Sequence, residues 1–190
     1  MIQLHYAPST AAMAPHILLE ELGVPFEKIL VDTVQGAHRT EAYKKLNPNG
    51  TVPVLVDGDL VLYESAAICL HLCDTHPAAG LAPAPGTAER AHFYKWLIWL
   101  TNTLQATLMV YFYSERWVKD GDAVRAAELK AQAELKVGVL LDQLDAELAR
   151  LKGIYPSPWL VGDKFSAVDA YALMLCRWSR NFASTPARGR

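Results

Sequence analysis

The chain has 190 residues, which is enough for one large domain or two small ones, each with its own hydrophobic core. Its 18 Lys and Arg against 20 Asp and Glu leave a net charge of −2, which gives no electrostatic basis for binding a nucleic acid or an anionic membrane. The sequence shows no secretion signal, and no apolar run approaches the roughly 20 residues that span a bilayer. We therefore expect a cytoplasmic protein.

The cysteines and histidines indicate neither a disulfide framework nor a metal site. Cys69, Cys73 and Cys176 form an odd set without a C-x-x-C pair, so a dithiol redox site is also excluded. The six histidines follow no metal-ligand spacing. We expect no bound metal.

The first part of the chain predicts a β-α-β unit. Ile2–Tyr6 has the pattern of a strand, 11–22 that of a helix, and Gly23 follows as a typical C-terminal cap. Residues 24–32 then predict a second strand, parallel to the first because a helix connects the two.

A β-hairpin and a third helix follow a polar stretch with a short helical piece. The two apolar runs of 51–65 are separated by Asp57-Gly58, a strong hairpin signal. Ser65 precedes a run with helical spacing, so we expect it to cap that helix. Together these elements predict a small mixed-sheet α/β domain.

The second part of the chain predicts an all-helical domain. A Pro-, Gly- and Ala-rich stretch places the boundary, with a sheet domain at 1–76, a linker at 77–87 and helices at 88–190. Thr87 is expected to cap a helical segment reaching about residue 117, and Asp122 one reaching about 152.

A capping box is predicted at the start of the last helix. Ser166 and Asp169 have the required spacing, with Asp in place of the usual Glu. Since Asp169 falls in the first helical turn, we interpret it as structural and not as a catalytic carboxylate.

The stretch between the first strand and helix leaves two roles open. Ser9 and Thr10 have the residue type that caps helices by accepting a hydrogen bond from a free backbone N–H. A hydroxyl at the same place could also contact a reacting atom of a ligand.

Residues 46–68 are the most specific part of the sequence, with the motif N-P-x-G-x-V-P and the pair E-S before the third helix. They closely resemble the glutathione-binding core of the soluble glutathione transferases, with mixed Theta-like and Beta-like features elsewhere. The resemblance implies an α+β protein of two domains, a thioredoxin-like domain with a mixed four-stranded sheet and an all-α bundle, acting as a homodimer. The matching residues are Asn47, Pro48, Gly50, Val52, Pro53, Glu64 and Ser65.

The resemblance implies contacts along the tripeptide. The backbone of Val52, before a cis bond to Pro53, would pair with the backbone of glutathione as an added strand does. Ser65 would hold the γ-glutamyl carboxylate at a helix N-terminus, and Glu64 would face the ammonium group. Alternatively, Glu64 and Ser65 have only capping roles.

The segment 34–43 resembles the G-x-H-[K/R]-[S/T] segment of Theta-like members. His38 and Arg39 would there hold the glycine carboxylate by charge-assisted hydrogen bonds. The alternative is a solvated His-Arg pair on a surface loop.

The resemblance also assigns a thiol-activating group. Ser9 aligns with the serine of the Theta-like pattern, and Thr10 and Tyr6 are secondary hydroxyl candidates. Ala11 stands where Beta-class members have cysteine, so a mixed disulfide with glutathione cannot form there. We interpret His16 as structural, since the sequence shows no obvious carboxylate partner for it.

The second substrate would contact the aromatic helical segment 96–117. Possible wall residues for an apolar electrophile are Trp99, Met109, Tyr113 and Trp117, although any of them could instead belong to the core. Family members usually continue past the last predicted helix, whereas this chain stops at NFASTPARGR, so one wall of the pocket is expected to be missing if no tail follows.

The sequence thus predicts a cytoplasmic glutathione transferase that conjugates glutathione to a small apolar electrophile, a detoxification reaction. Two alternatives stay open. One is a non-catalytic interaction protein with this fold, and the other is a different glutathione-dependent enzyme such as a dehalogenase, an isomerase or a peroxidase.

Overall fold

The computed structural model describes residues 1–156, 158–180 and 182. It separates into two compact units. The sheet unit comprises Met1–Pro85 and Phe165–Met174, and the helical unit comprises Gly86–Lys164 and the described residues from Leu175 on. The bounds of the two domains and of the linker at 77–87 stay a prediction.

One mixed four-stranded sheet organises the sheet unit. In the order β2-β1-β3-β4, β1 pairs parallel with β2 and antiparallel with β3, and β3 pairs antiparallel with β4. This confirms the predicted fold class and the parallel β-α-β unit. The strands are β1 (Ile2–Tyr6), β2 (Phe26–Leu30), β3 (Val54–Asp57) and β4 (Leu60–Tyr63).

The second strand is shorter than the predicted 24–32. Pro25 precedes it and has no N–H for the sheet ladder. At the other end, the carboxylate of Asp32 accepts hydrogen bonds from the backbone N–H groups of Val34 and Gln35, at 3.0 and 2.9 Å. That turn directs the chain away from the sheet soon after Leu30.

Helix α1 (Met13–Leu22) begins later than the predicted residue 11. Pro15 has no N–H, so it fits only in the first turn of a helix and favours a start near residue 13. Gly23 ends the helix in the left-handed region with φ 63°, as predicted. Two further helices complete this part of the unit, α2 (Glu41–Lys44) and α3 (Ser65–Thr75).

The core of the sheet unit is mostly aliphatic. Helices α1 and α3 pack against each other, and a separate cluster of Val31, Tyr43 and Val54 is completed by half-buried apolar neighbours. The largest fully buried side chains of the sheet unit are Leu4, Leu18, Leu19, Leu55, Ile68, Leu72, Tyr171 and Met174.

The helical unit contains α4 (Ala88–Trp99), α5 (Ala106–Phe112) and α6 (Ala123–Lys152). Thr87 and Asp122 cap α4 and α6 as predicted, accepting hydrogen bonds at 3.2 and 3.1 Å from N–H groups three residues on. The segment predicted to run to about residue 117 is not one α-helix. A π-helical stretch (Leu100–Gln105) separates α4 from α5, and a 3-10 turn (Ser114–Trp117) follows.

Helix α7 (Ala167–Trp178) begins with the predicted acidic cap. The buried carboxylate of Asp169 accepts hydrogen bonds from the N–H and the hydroxyl of Ser166, both at 2.8 Å. This confirms a structural role for Asp169. Of the C-terminal NFASTPARGR, only Phe182 is described. The prediction that one wall of the pocket is missing therefore concerns a part of the chain outside the described residues. None of the described helices combines the length and the hydropathy needed to cross a membrane.

Candidate functional site

The loop between β1 and α1, residues 7–12, is closed by the hydroxyl of Thr10. Thr10 Oγ1 donates a hydrogen bond to the carbonyl oxygen of Ala7 at 2.6 Å and accepts one from the N–H of Ala12 at 3.4 Å. The hydroxyl proton of Thr10 is therefore engaged within the loop, one residue from Ser9.

Ser9 presents a free hydroxyl on this loop. The residue is exposed, adopts φ 60°, and its hydroxyl makes no hydrogen bond within residues 1–156, 158–180 and 182. Helix α1 has Ala12 at its N-cap position without a side-chain cap, so Ser9 does not cap the helix and that interpretation of Ser9 is wrong. A non-glycine residue with positive φ is uncommon and is enriched at functional sites.

Tyr6, the other hydroxyl candidate, lies at the end of β1 with its ring 6.2 Å from that of His16. His16 has a carboxylate partner that we did not predict from the sequence. This partner is Glu20, one helical turn later, whose Oε1 lies 3.1 Å from Nε2 of His16. Its ring also packs edge-on against Phe26. These contacts explain His16 as a packing residue of α1.

The loop before β3 is held by buried polar contacts. The Asn47 side chain, 1% exposed, donates to the carbonyl and hydroxyl oxygens of Thr51 at 2.8 and 3.0 Å and accepts from the N–H of Asn49 at 3.0 Å. The peptide bond between Val52 and Pro53 is cis, as the family resemblance implied. Within the described residues, the backbone N–H and C=O of Val52 have no hydrogen-bond partner. They are available to an extended ligand.

Helix α3 begins at Ser65, and the exposed Glu64 occupies the N-cap position. The prediction that Ser65 caps this helix is therefore wrong. Its buried hydroxyl donates instead to the carbonyl oxygen of Ala11 at 2.9 Å, which brings the start of α3 against the loop that carries Ser9. Glu64 adopts φ 74° and makes no side-chain cap, so its carboxylate faces solvent.

His38 and Arg39 contact each other in a short 3-10 turn (Ala37–Arg39). Arg39 Nε donates to His38 Nε2 at 3.3 Å, which assigns the ring proton of His38 to Nδ1. His38 Nδ1 is buried and has no partner among the described residues, whereas Arg39 is exposed. A Cβ on Gly50 would lie 3.0 Å from the carbonyl oxygen of His38, so this turn also touches the loop before β3.

The buried ring of Tyr43 and the half-buried ring of His5 have shifted pKa values. Burial raises the pKa of Tyr43 to about 12, and its hydroxyl donates to the carbonyl oxygen of Thr51 at 2.9 Å. Burial also lowers the pKa of His5, whose ring packs edge-on against Tyr43. Both side chains are therefore neutral around pH 7 and support the site by packing.

Comparison with known proteins shows which family shares this arrangement. Residues 8–75 match the model of the glutathione S-transferase N-terminal domain, and residues 100–189 match that of the C-terminal domain. Glutathione S-transferase 3 of Zea mays is 35% identical over 160 residues, covering 83% of this chain and 68% of the plant protein. The chain belongs to the glutathione S-transferase family.

Bacterial family members are similar over more of the chain. Glutathione S-transferase GST-4.5 of Xanthomonas campestris is 29% identical, covering 94% of this chain and 82% of the relative. A sphingomonad glutathione S-transferase solved in complex with glutathione is 31% identical with a TM-score of 0.79, covering 98% and 86% of the two chains. A Sulfitobacter homolog with bound glutathione has a TM-score of 0.86 at 24% identity and supports the fold.

The structure places only one of the four residues predicted for the electrophile pocket of this transferase at the cavity between α4 and α6. Trp99 lines a cavity of about 360 Å³ between α4 and α6, whose lining does not include Met109, Tyr113 or Trp117. Met109 is half-buried on α5. Tyr113 and Trp117 are 38% and 63% exposed, and the guanidinium of Arg116 lies 3.9 Å from the ring centre of Tyr113.

Sequence reasoning missed two features of the transferase site. The contact between Ser65 and Ala11 has a partial sequence signal, since Pro15 stands four residues after Ala11 and removes its helical hydrogen-bond donor. The hydrogen bond from the Tyr43 hydroxyl to the Thr51 carbonyl oxygen has no sequence signal, because a tyrosine on a short helix is typical of the hydrophobic core.

Proposed function

We propose that this member of the glutathione S-transferase family binds glutathione on its sheet unit and transfers the thiolate to a small apolar electrophile. The observation that carries the proposal is the free, exposed hydroxyl of Ser9, on a loop that Ser65 attaches to the start of α3. Cys69, Cys73 and Cys176 form no disulfide within the described residues, which agrees with a detoxification enzyme of the cytoplasm.

The tripeptide is held through backbone groups and charges. The first N–H groups of α3, at Ser65, lack helical acceptors and favour the γ-glutamyl carboxylate, while the exposed Glu64 faces the ammonium group. The unpaired N–H and C=O of Val52 bind the cysteinyl backbone. Family structures that contain glutathione support this ligand.

The glycine carboxylate binds the turn that carries Arg39. Its exposed guanidinium offers charge-assisted hydrogen bonds, and the contact with His38 Nε2 fixes its position. For His38 to bind the ligand directly, its ring must exchange this contact for the carboxylate. The two residues thus share one role at this end of the ligand.

Ser9 promotes ionisation of the thiol. A free thiol has a pKa near 8.5, and the thiolate is the nucleophile. The thiol proton passes to water, and the Ser9 hydroxyl keeps its own proton while it donates a hydrogen bond to the thiolate sulfur. This hydrogen bond lowers the pKa of the bound thiol. The sulfur then forms a bond to the electrophilic carbon, and the electron pair displaced there leaves with the leaving group or is protonated by water.

The test is thiolate absorbance in an ultraviolet difference titration with glutathione, across pH, for wild type and Ser9→Ala. In wild type we expect thiolate to form at pH values well below the pKa of the free thiol. In an assay of conjugation, we expect the kcat of Ser9→Ala to be about 10- to 100-fold lower than that of wild type. Glu64→Gln is the matched control, since it is expected to weaken glutathione binding while the thiol pKa at saturation is retained.

Equal thiolate in wild type and Ser9→Ala would assign ionisation to Tyr6, Thr10 or a backbone N–H. Absence of glutathione binding would favour an interaction protein. Ionised glutathione without conjugation of a generic electrophile would favour another glutathione-dependent enzyme, which product analysis would identify.

The electrophile contacts exposed aromatic side chains of the helical unit. We expect Tyr113→Ala and Trp117→Ala each to raise KM for an aromatic electrophile several-fold, because these rings are exposed and apolar. The affinity for glutathione should be unchanged. Trp99 and Met109 are half-buried, so the same substitutions there are expected to reduce stability as well.

The family resemblance supports a homodimer as the working form. Light scattering during gel filtration tests this directly, since one chain has a mass of 21.0 kDa. A mass near that of a single chain at micromolar concentration would contradict the dimer and leave the glutathione titration as an independent test of activity.

A further inference from the structure

The carbonyl oxygen of Ala11 has lost its usual helical partner. Ala12 has helical backbone angles, φ −66° and ψ −14°, and its own carbonyl accepts a hydrogen bond from the N–H of His16 at 3.1 Å. By the same rule Ala11 would accept from the residue four positions on. That residue is Pro15, which has no N–H.

Ser65 supplies the missing donor from a distant part of the chain. Its hydroxyl donates to the Ala11 carbonyl at 2.9 Å across 54 residues of sequence, and the side chain is 5% exposed. The backbone N–H of the same residue lies at the open N-terminus of α3. One residue thus faces a carboxylate site with its backbone and the Ser9 loop with its side chain.

Ser9 is therefore held from both sides. On one side its neighbour Thr10 closes the loop onto Ala7, and on the other the Ala11 carbonyl is fixed by Ser65. A residue with positive φ keeps that conformation only where its surroundings enforce it. Release of Ala11 lets the loop relax and moves the Ser9 hydroxyl.

We propose that the hydroxyl of Ser65 is a positioning residue for the thiol site, acting through the Ala11 carbonyl to hold Ser9 where it stabilises the thiolate. The inference rests on the proposed function and adds to it, because it couples recognition of the γ-glutamyl end to ionisation of the thiol.

The test compares the full chain as wild type, Ser65→Ala, Pro15→Ala and the double variant. Thiolate absorbance at saturating glutathione gives the pKa of the bound thiol, and the affinity for S-methylglutathione measures binding without an ionisable thiol. We expect Ser65→Ala to raise the bound thiol pKa by about half a unit to one unit. The double variant should recover part of this shift, because the N–H created at position 15 can donate to the Ala11 carbonyl.

If Ser65 acted only in binding, Ser65→Ala would weaken the affinity for S-methylglutathione and leave the pKa of the bound thiol at saturation unchanged. That result would overturn the inference. A raised pKa that Pro15→Ala does not lower in the double variant would overturn the route through Ala11. If Ser65→Ala does not fold, Ser65→Cys replaces it; its weaker donor should give a smaller rise, and no rise would again contradict the inference. Wild type that shows no thiolate would overturn the proposed function itself.

Discussion

Tyr43 and Asn47 donate hydrogen bonds to the same acceptor, the carbonyl oxygen of Thr51, at 2.9 and 2.8 Å. The first donor lies on α2 and the second on the loop that precedes β3. Their shared acceptor is the residue before Val52, whose backbone is the proposed partner of glutathione. The ligand-binding edge is therefore fixed by buried polar contacts behind it.

Asn47→Ala should destabilise the protein more than Tyr43→Phe. The alanine removes three hydrogen bonds and leaves the Asn49 N–H without its acceptor, so we expect a loss of about 2–3 kcal/mol. Tyr43→Phe removes one bond from an acceptor that keeps Asn47, and should cost about 1 kcal/mol. Urea unfolding measures both, and equal losses would contradict this division.

Stability should fall in alkaline solution because of Tyr43. Its pKa is about 12 in the folded protein, whereas an unfolded tyrosine ionises near 10. As the pH rises from about 10 to 12, the unfolded chain releases this proton first, which favours unfolding. The difference between the stability profiles of wild type and Tyr43→Phe isolates the effect, and parallel profiles would contradict it.

Gly50→Ala should be more harmful than Gly58→Ala, although the two glycines have nearly equal φ of 61° and 59°. Left-handed strain costs each variant about 1–2 kcal/mol. At Gly50 the new Cβ would also lie 3.0 Å from the His38 carbonyl, whereas at Gly58 nothing lies within 4 Å. Gly50→Ala should reduce both the free energy of unfolding and the affinity for glutathione, whereas Gly58→Ala should retain the affinity for glutathione.

Removal of the acidic cap of α7 should cost more than removal of the cap of α6. Asp169 is 8% exposed and accepts two hydrogen bonds from Ser166, so Asp169→Ala should destabilise by about 2–3 kcal/mol. The side chain of Asp122 is 31% exposed and water can replace it, so Asp122→Ala should cost about 1 kcal/mol. Thermal unfolding measures both losses, and a larger loss of stability for Asp122→Ala than for Asp169→Ala would contradict this comparison.

Local signals in the sequence predicted several of the element boundaries. Helix α6 begins after Asp122 and ends at Lys152 as its apolar spacing and its cap indicate, and strand β1 has its predicted bounds. The two-residue connection of the hairpin was also placed to within one residue, since β3 ends at Asp57 and β4 begins at Leu60. These features depend on residues a few positions apart.

Tertiary structure decided which hydroxyl is free. From the sequence, Ser9 was the first candidate for activating the thiol, and Thr10 and Tyr6 were secondary candidates. Ser9, Thr10 and Ser65 could equally have acted as helix caps. In the folded chain the protons of Thr10 and Ser65 are bound to the carbonyls of Ala7 and Ala11, whereas the hydroxyl of Ser9 makes no hydrogen bond within the described residues.

The sequence by itself thus determined the fold class, the family motif and the caps at Gly23, Thr87, Asp122 and Asp169, which are all carried by local spacing. The tertiary structure alone decided the partners of the candidate side chains. A hydrogen bond between residues 54 positions apart has no local pattern, because its geometry depends on how α1 and α3 pack on the sheet.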